Sequence, residues 1–131
     1  MGLWGELKTR NVDGIDGLFT VVVQDGKTCE VLMLAYANQE ALEKTIATGL
    51  AHYYSTSRKK LWLKGESSGN TQKVSEVLVD CDGDAVVYKV EQKGGACHKG
   101  YRSCFFRKVS TGVLETVGEK LFDPDEVYKK K

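Results

Sequence analysis

Short apolar runs separated by polar turns dominate the chain. Residues 18–23 and 28–36 are rich in β-branched and apolar side chains, and they flank a turn that contains Asp25-Gly26. Two such runs across an Asp-Gly turn predict a β-hairpin. The second run is almost continuously apolar, which predicts burial on both of its faces. Two further pairs of runs predict a second and a third hairpin, at 74–79 with 85–90 and at 104–109 with 113–117.

One segment has a helical pattern instead. Asn38 is a good N-cap, residues 39–48 carry Leu42 and Ile46 on one face, and Gly49 suits the left-handed position after a helix. The remaining predictions are a short strand within 51–58, a basic, glycine-rich loop at 61–70 and a short terminal helix beginning at Pro124. Many hairpins and one sizeable helix predict an α+β fold with a mainly antiparallel sheet. Residues 1–131 contain no repeat and no linker, so a single domain is expected.

Composition narrows the function classes. The 19 basic and 18 acidic residues give a net charge of +1, so no nucleic-acid or membrane-surface partner is expected. The chain has neither a signal-peptide pattern nor an apolar run long enough to cross a bilayer, so we expect a cytoplasmic protein. In that reducing compartment, the four cysteines are expected to be metal ligands, catalytic groups or buried residues rather than disulfides.

A cluster of carboxylates lies at the predicted tip of the second hairpin. Asp80, Asp82 and Asp84 alternate with Cys81 and Gly83. At a tight turn three carboxylates crowd together and repel one another unless a cation compensates them. The pattern is not that of an EF-hand, and turn formation alone also explains one or two of the aspartates. Three of them favour a magnesium-type site.

Three cysteines form a second group of possible ligands. Cys97 and Cys104 lie in a polar segment downstream of Cys81, whereas Cys29 has apolar neighbours and is expected in the core. Three thiolates would hold zinc and leave one position for water. The strand that returns from Cys81 places Cys97 near the far end of the hairpin, so one subunit could bring them together only if the following chain doubled back, whereas a two-fold partner could do so directly. We therefore expect a zinc site shared across an obligate, intertwined homodimer.

Four stretches of this sequence together resemble the phosphoribosyl-AMP cyclohydrolase family. They are residues 31–38, 61–70, 80–84 and 96–105, and the similarity covers roughly residues 12 to 109. One departure is Thr56, where the family often has Arg, which leaves Arg58 as the phosphate candidate in that motif.

The resemblance implies the third step of histidine biosynthesis, in which a zinc-activated water opens the adenine ring of phosphoribosyl-AMP between nitrogen 1 and carbon 6. It implies a homodimer with zinc on Cys81 of one subunit and Cys97 and Cys104 of the other. It also implies magnesium at the three aspartates of 80–84. The chain has no room for the pyrophosphohydrolase domain found in some members, so a stand-alone enzyme is expected.

The remaining assignments rest on chemistry. His98, adjacent to Cys97, is the expected general base, and the alternative is a residue that orients a ligand or water. His52 is expected to be structural or to pack on substrate. The expected phosphate and substrate contacts are Arg58, Trp62, Lys64, Gly65, Ser68 and Arg102. For Trp62 core packing is the alternative to stacking on the purine. The main rival function is a non-catalytic dimer stapled by structural zinc.

Overall fold

A computed structural model describes residues 3–128 of the chain. The helices are α1 (Leu3–Glu6), α2 (Gln39–Thr48) and α3 (Pro124–Tyr128). The strands are β1 (Arg10–Val12), β2 (Ile15–Asp25), β3 (Val31–Ala37), β4 (His52–Ser55), β5 (Lys60–Leu63), β6 (Gln72–Val79), β7 (Ala85–Gln92), β8 (Arg107–Ser110) and β9 (Val113–Thr116). The α+β class predicted from the sequence is confirmed.

One sheet forms the body of the fold. Its strands are ordered β5-β4-β3-β2-β7-β6, and β1 pairs with the first part of β2. All neighbours are antiparallel except β2 and β7, which run parallel with Val21 opposite Val86. The parallel pair brings the first two predicted hairpins side by side. The third predicted hairpin, β8–β9, forms a separate two-stranded sheet.

Helix α2 begins and ends at the residues that the sequence predicts. The Asn38 side chain accepts a hydrogen bond from the Ala41 amide at 2.9 Å. Gly49 has a φ of +76° and donates its amide to the Thr45 carbonyl. This is the usual chemistry of an Asx N-cap and a left-handed glycine C-terminus. The helix buries Ala41, Leu42 and Thr45 against the sheet.

The core lies on one face of the sheet, under α2. It contains Phe19, Leu32, Leu42 and Tyr88, and Tyr53 stacks on Tyr88 with ring centroids 5.7 Å apart. Tyr53 also donates a hydrogen bond to the side chain of buried Gln72. The phenol and the amide therefore satisfy each other within an apolar surrounding.

Three expectations about individual segments are wrong. Cys29 is exposed rather than in the core, because the turn after β2 extends to Glu30 and gives Cys29 a φ of +65°. Within β3, Val31 and Leu34 are 43% and 48% exposed, because the core covers only the other face of this strand. The predicted loop at 61–70 begins as strand β5, which pairs with β4.

Candidate active site

The turn between β6 and β7 brings three carboxylates together. Ligand oxygens of Asp80, Asp82 and Asp84 all lie within 4.8 Å of one another, as the sequence predicts for a tight turn. Asp80 holds this turn, because its Oδ1 accepts the amides of Gly83 at 2.8 Å and Asp84 at 3.1 Å. Gly83 has a φ of +76°, and a Cβ there would lie 2.0 Å from the Glu6 carbonyl oxygen. Only glycine fits this approach of the N-terminal segment to the turn.

Arg10 partly compensates the charge of this cluster. Its Nη2 lies 2.5 Å from Asp84 Oδ2, and its Nε donates to the same oxygen at 3.1 Å. The hydrogen bond from the guanidinium lowers the pKa of Asp84 below its usual value. The Asp84 carboxylate therefore remains ionised at neutral pH, the state in which it would hold a hard cation. No pattern in the sequence indicated this role for Arg10.

Cys81 lies on the exposed rim of the same turn. Its sulfur is 3.9 Å from Asp82 Oδ1. Among residues 3–128, the three aspartates are the only group of three or more possible metal ligands whose atoms lie this close together. Cys81 of this chain is therefore not gathered with the other two predicted zinc ligands.

Cys97 and Cys104 come together through a compact segment, Ala96–Cys104, which we call the thiol loop. Cys97 opens a β-turn closed by the Gly100 amide on its carbonyl at 3.0 Å. A Cβ on Gly100 would lie 2.3 Å from the Phe122 carbonyl oxygen, so the turn packs tightly against the C-terminal segment. The Cys104 amide donates to Leu32 of β3 at 2.7 Å. These contacts fix both ends of the loop, and the two thiols lie close enough to perturb each other electrostatically.

Without a metal, the Cys104 thiol favours its protonated form. Partial burial, followed by the neighbouring Cys97 thiol, raises the pKa of the Cys104 thiol to about 11, while Lys64 opposes the shift. Cys97 is 5% exposed, whereas Cys104 retains an exposed side. Two adjacent sulfurs of this kind suit a thiophilic cation, which binds thiolates and releases their protons.

Lys64 connects the glycine-rich segment to the thiol loop. Its Nζ donates to the Ala96 carbonyl at 2.5 Å. Burial lowers the pKa of Lys64, and the nearby sulfurs of Cys104 and Cys97 oppose that shift. A cation beside two thiols stabilises the thiolate state that metal binding requires.

A pocket of about 260 Å³ opens beside these groups. It gathers most of the residues predicted from the sequence to be catalytic or substrate-binding. They are His98, Arg58, Trp62, Lys64, Gly65 and Ser68, and the predicted zinc ligand Cys104 also lines the pocket. Four lining residues that the sequence reasoning did not assign are Met33, Leu63, Glu66 and Ala96. Met33 belongs to the apolar run of β3, and an apolar pattern does not distinguish a pocket wall from the core.

Trp62 forms the aromatic wall of the pocket. Its ring packs against Tyr53 with centroids 5.1 Å apart, as expected for the packing role. The Arg58 guanidinium and the Lys64 ammonium each lie 5.9 Å from the indole centroid. These are cation–π distances, so the ring holds two positive groups at the mouth of the pocket.

Arg102 and His52 lie outside the pocket lining. Arg102 pairs with Asp25 and Glu30 on the turn that follows β2. His52 is half-buried in β4, with its Nδ1 2.8 Å from the Leu50 carbonyl. The contacts of His52 agree with the structural role expected from the sequence, whereas the expected phosphate contact of Arg102 remains a prediction.

Between residues 3 and 128 no helix is long and apolar enough to span a membrane. The fold and site define a class of small α+β protein whose pocket joins thiol, imidazole and cationic side chains, and which carries a separate turn with three carboxylates. Such a combination suits chemistry on an anionic small molecule.

Comparison with known proteins gives the family. A family model described as phosphoribosyl-AMP cyclohydrolase matches residues 33–106. A phosphoribosyl-AMP cyclohydrolase of Methanococcoides burtonii is 59% identical over 123 residues, covering 94% of this chain and 98% of that protein. Another from Methanothrix thermoacetophila is 64% identical over 113 residues, covering 86% of this chain and 91% of its own. The chain belongs to the phosphoribosyl-AMP cyclohydrolase family.

Proposed function

We propose that this protein hydrolyses phosphoribosyl-AMP by opening the adenine ring between nitrogen 1 and carbon 6, the third step of histidine biosynthesis. The observation that carries the proposal is the pocket, which combines His98 and Cys104 with the cations of Arg58 and Lys64. Relatives that share about 60% of its residues bear the name of this enzyme. In the reaction, water adds to carbon 6 and the bond from carbon 6 to nitrogen 1 breaks.

The donor sets fit two different cations. The carboxylates of Asp80, Asp82 and Asp84 would hold magnesium, a hard ion that prefers oxygen ligands. The neighbouring sulfurs of Cys97 and Cys104 supply two ligands for zinc. When bound there, zinc would supply a water of lowered pKa for the addition.

A second copy of the chain would supply the third sulfur. Cys81 is exposed on its turn and lies outside the Cys97–Cys104 pair of its own chain. In a two-fold dimer, the β6–β7 turn of each subunit would lie beside the Cys97–Cys104 pair of the other subunit. This arrangement requires no conformational change within either chain. We therefore propose a homodimer with two equivalent zinc sites, each using Cys81 of one subunit.

His98 is the proposed general base. It lies on the pocket lining one residue after Cys97, and it is exposed to the solvent from which water enters. An imidazole at this position accepts a proton from the added water and returns one to nitrogen 1 as the ring opens. His98→Ala is expected to retain zinc and lose rate, whereas Cys97→Ala is expected to lose zinc.

The glycine-rich edge of the pocket suits the substrate's phosphate monoesters. Arg58 and Lys64 bring positive charge, and Ser68 brings a hydroxyl. Gly65 has a φ of +86°, and a Cβ there would lie 2.6 Å from the backbone of Asn70 and Thr71. Because Gly65 has no Cβ, the segment can fold back against the backbone of Asn70 and Thr71. The edge of this segment then remains open toward the pocket.

The test is to incubate the purified protein with phosphoribosyl-AMP and follow ring opening by ultraviolet absorbance, with and without a chelator. We expect turnover that the chelator abolishes before the protein unfolds. A zinc-loaded dimer without turnover would contradict the proposal. A non-catalytic dimer stapled by zinc instead predicts loss of folding as the first effect of chelation.

A further inference from the structure

We propose that Arg102 is a positioning residue that clamps the thiol loop to the turn after β2, through Asp25 and Glu30, and thereby sets the spacing of Cys97 and Cys104. The inference rests on the proposed function, because it assigns these two thiols to the metal that the reaction uses. It gives Arg102 a role different from the phosphate contact expected from the sequence.

Asp25 provides a fixed anchor for the clamp. The residue is 7% exposed at the end of β2. One carboxylate oxygen accepts the amides of Lys27 at 2.8 Å and Thr28 at 2.9 Å, and the other accepts Nη2 of Arg102. Hydrogen bonds from the Thr28 and Lys27 amides, with the Arg102 charge, lower the pKa of Asp25. Because both oxygens are engaged, the carboxylate has a single orientation.

Glu30 holds the other edge of the same guanidinium. Arg102 Nε donates to Glu30 Oε1 at 2.9 Å, while Nη2 binds Asp25. Two carboxylates, one at each end of the turn, therefore fix the plane of the guanidinium. A lysine ammonium is a point charge without this planar arrangement of donors and cannot reproduce it.

The backbone transmits this position to both thiols. The Arg102 carbonyl accepts the amide of Ala96 at 2.8 Å, directly before Cys97. On the other side, the Ser103 hydroxyl donates to the Val31 carbonyl at 2.8 Å and leads into Cys104. Arg102 is thus joined by a backbone hydrogen bond to the residue before Cys97, and it lies two positions before Cys104.

The side chains of Arg102 and Glu30 are partly exposed to solvent. Exposure bears on how far a loss of free energy of unfolding can be distinguished from a loss of metal affinity when Arg102 is replaced. The Arg102 side chain is 35% exposed and that of Glu30 is 43% exposed. The Arg102–Glu30 pair, exposed on both sides, adds little to the free energy of unfolding, whereas the carboxylate of the Arg102–Asp25 pair is buried. Residues that orient metal ligands, in contrast, typically change metal affinity or activity about 10–100-fold when replaced.

Three readouts on the full-length protein separate the possible roles of Arg102. They are zinc affinity by competition with a chromophoric chelator, the kcat and KM for phosphoribosyl-AMP, and the melting temperature of the metal-free protein. The variants are Arg102→Gln and Arg102→Lys, the second of which keeps the positive charge facing Asp25 if Arg102→Gln fails to fold. Arg107→Gln is the matched control, because Arg107 is exposed in β8 and its guanidinium lies 5.4 Å from the Phe106 ring centroid.

We expect both Arg102 variants to bind zinc about tenfold or more weakly and to lose kcat by a similar factor. KM should change little, and Arg107→Gln should behave as wild type. A rise in KM alone would overturn the inference in favour of a phosphate contact. A lower melting temperature with unchanged zinc affinity and kcat would overturn it in favour of a purely structural role. If wild-type protein proves inactive, the proposed function fails, while the zinc competition still tests the clamp.

Discussion

The ammonium of Lys64 donates a hydrogen bond to the carbonyl of Ala96 at 2.5 Å, and this bond joins the two segments that form the pocket. Lys64 directly follows β5, and Ala96 directly precedes Cys97. Ala96 is 1% exposed, so its carbonyl has little access to water as an alternative partner. The contact therefore couples the glycine-rich edge of the pocket to the position of the thiols.

Replacing Lys64 by methionine tests this coupling. Lys64→Met keeps the length of the side chain and leaves a buried carbonyl without its cationic donor, which should cost about 1–3 kcal/mol of unfolding free energy. Urea denaturation of the metal-free protein measures this loss. Lys60→Met, on the exposed edge of β5, is the control and should change stability by less than about 0.5 kcal/mol. Equal effects of the two substitutions would contradict the coupling.

The turn that carries the carboxylates makes a second prediction. Gly83→Ala adds a Cβ 2.0 Å from the Glu6 carbonyl oxygen at a φ of +76°. The control is Gly112→Ala, which has a φ of +79° and no atom within 4 Å of the new Cβ. The shared left-handed conformation costs about 1–2 kcal/mol in both variants. We expect Gly83→Ala to lose clearly more unfolding free energy in urea, because the N-terminal segment must also move. Similar losses of unfolding free energy in the two variants would show that the clash with Glu6 adds no destabilisation.

Local patterns predicted the elements that depend on near neighbours. The Asp25-Gly26 turn, the Asn38 cap and the crowded aspartates each follow from residue types a few positions apart, and the structure contains all three. The parallel pairing of β2 with β7 joins segments about sixty residues apart, and a single sequence carries no signal for it. The same limit applies to the ion pair of Arg102 with Asp25, because these residues lie 77 positions apart.

Asp25 makes a prediction about acid stability. Its folded-state pKa is lowered from 3.8, first by the hydrogen bond from the Thr28 amide. A carboxylate of this kind contributes stability that is fully present above the unfolded pKa and is lost as the pH falls through the folded pKa. Asp25→Asn should therefore be less stable than wild type at pH 7, and the difference should shrink below about pH 4. Urea denaturation at pH 7 and below about pH 4 measures this difference in stability.

The control is Asp16→Asn, at an exposed position on the same strand, which should differ little from wild type at both pH values. A difference for Asp25→Asn that is independent of pH would contradict the assignment.

Sharing of the thiol site between subunits can be tested by mixing two inactive variants. Cys81→Ala removes the exposed sulfur of the β6–β7 turn, and Cys97→Ala removes the buried sulfur of the thiol loop. If each site combines Cys81 of one subunit with Cys97 and Cys104 of the other, a mixed dimer has one site with both defects and one intact site. Unfolding and refolding an equal mixture makes half of the dimers mixed, so turnover should recover to about a quarter of the wild-type value.

Two controls make the mixing experiment specific. Each variant refolded alone should remain inactive, and mixing the folded variants without subunit exchange should restore nothing. Zinc bound per dimer should rise in parallel with turnover, because only the intact site keeps all three sulfurs. If all three sulfurs came from one chain, every subunit in the mixture would carry a defective site. Refolded mixtures that show mixed dimers by native mass spectrometry but no recovered turnover would therefore exclude a shared site.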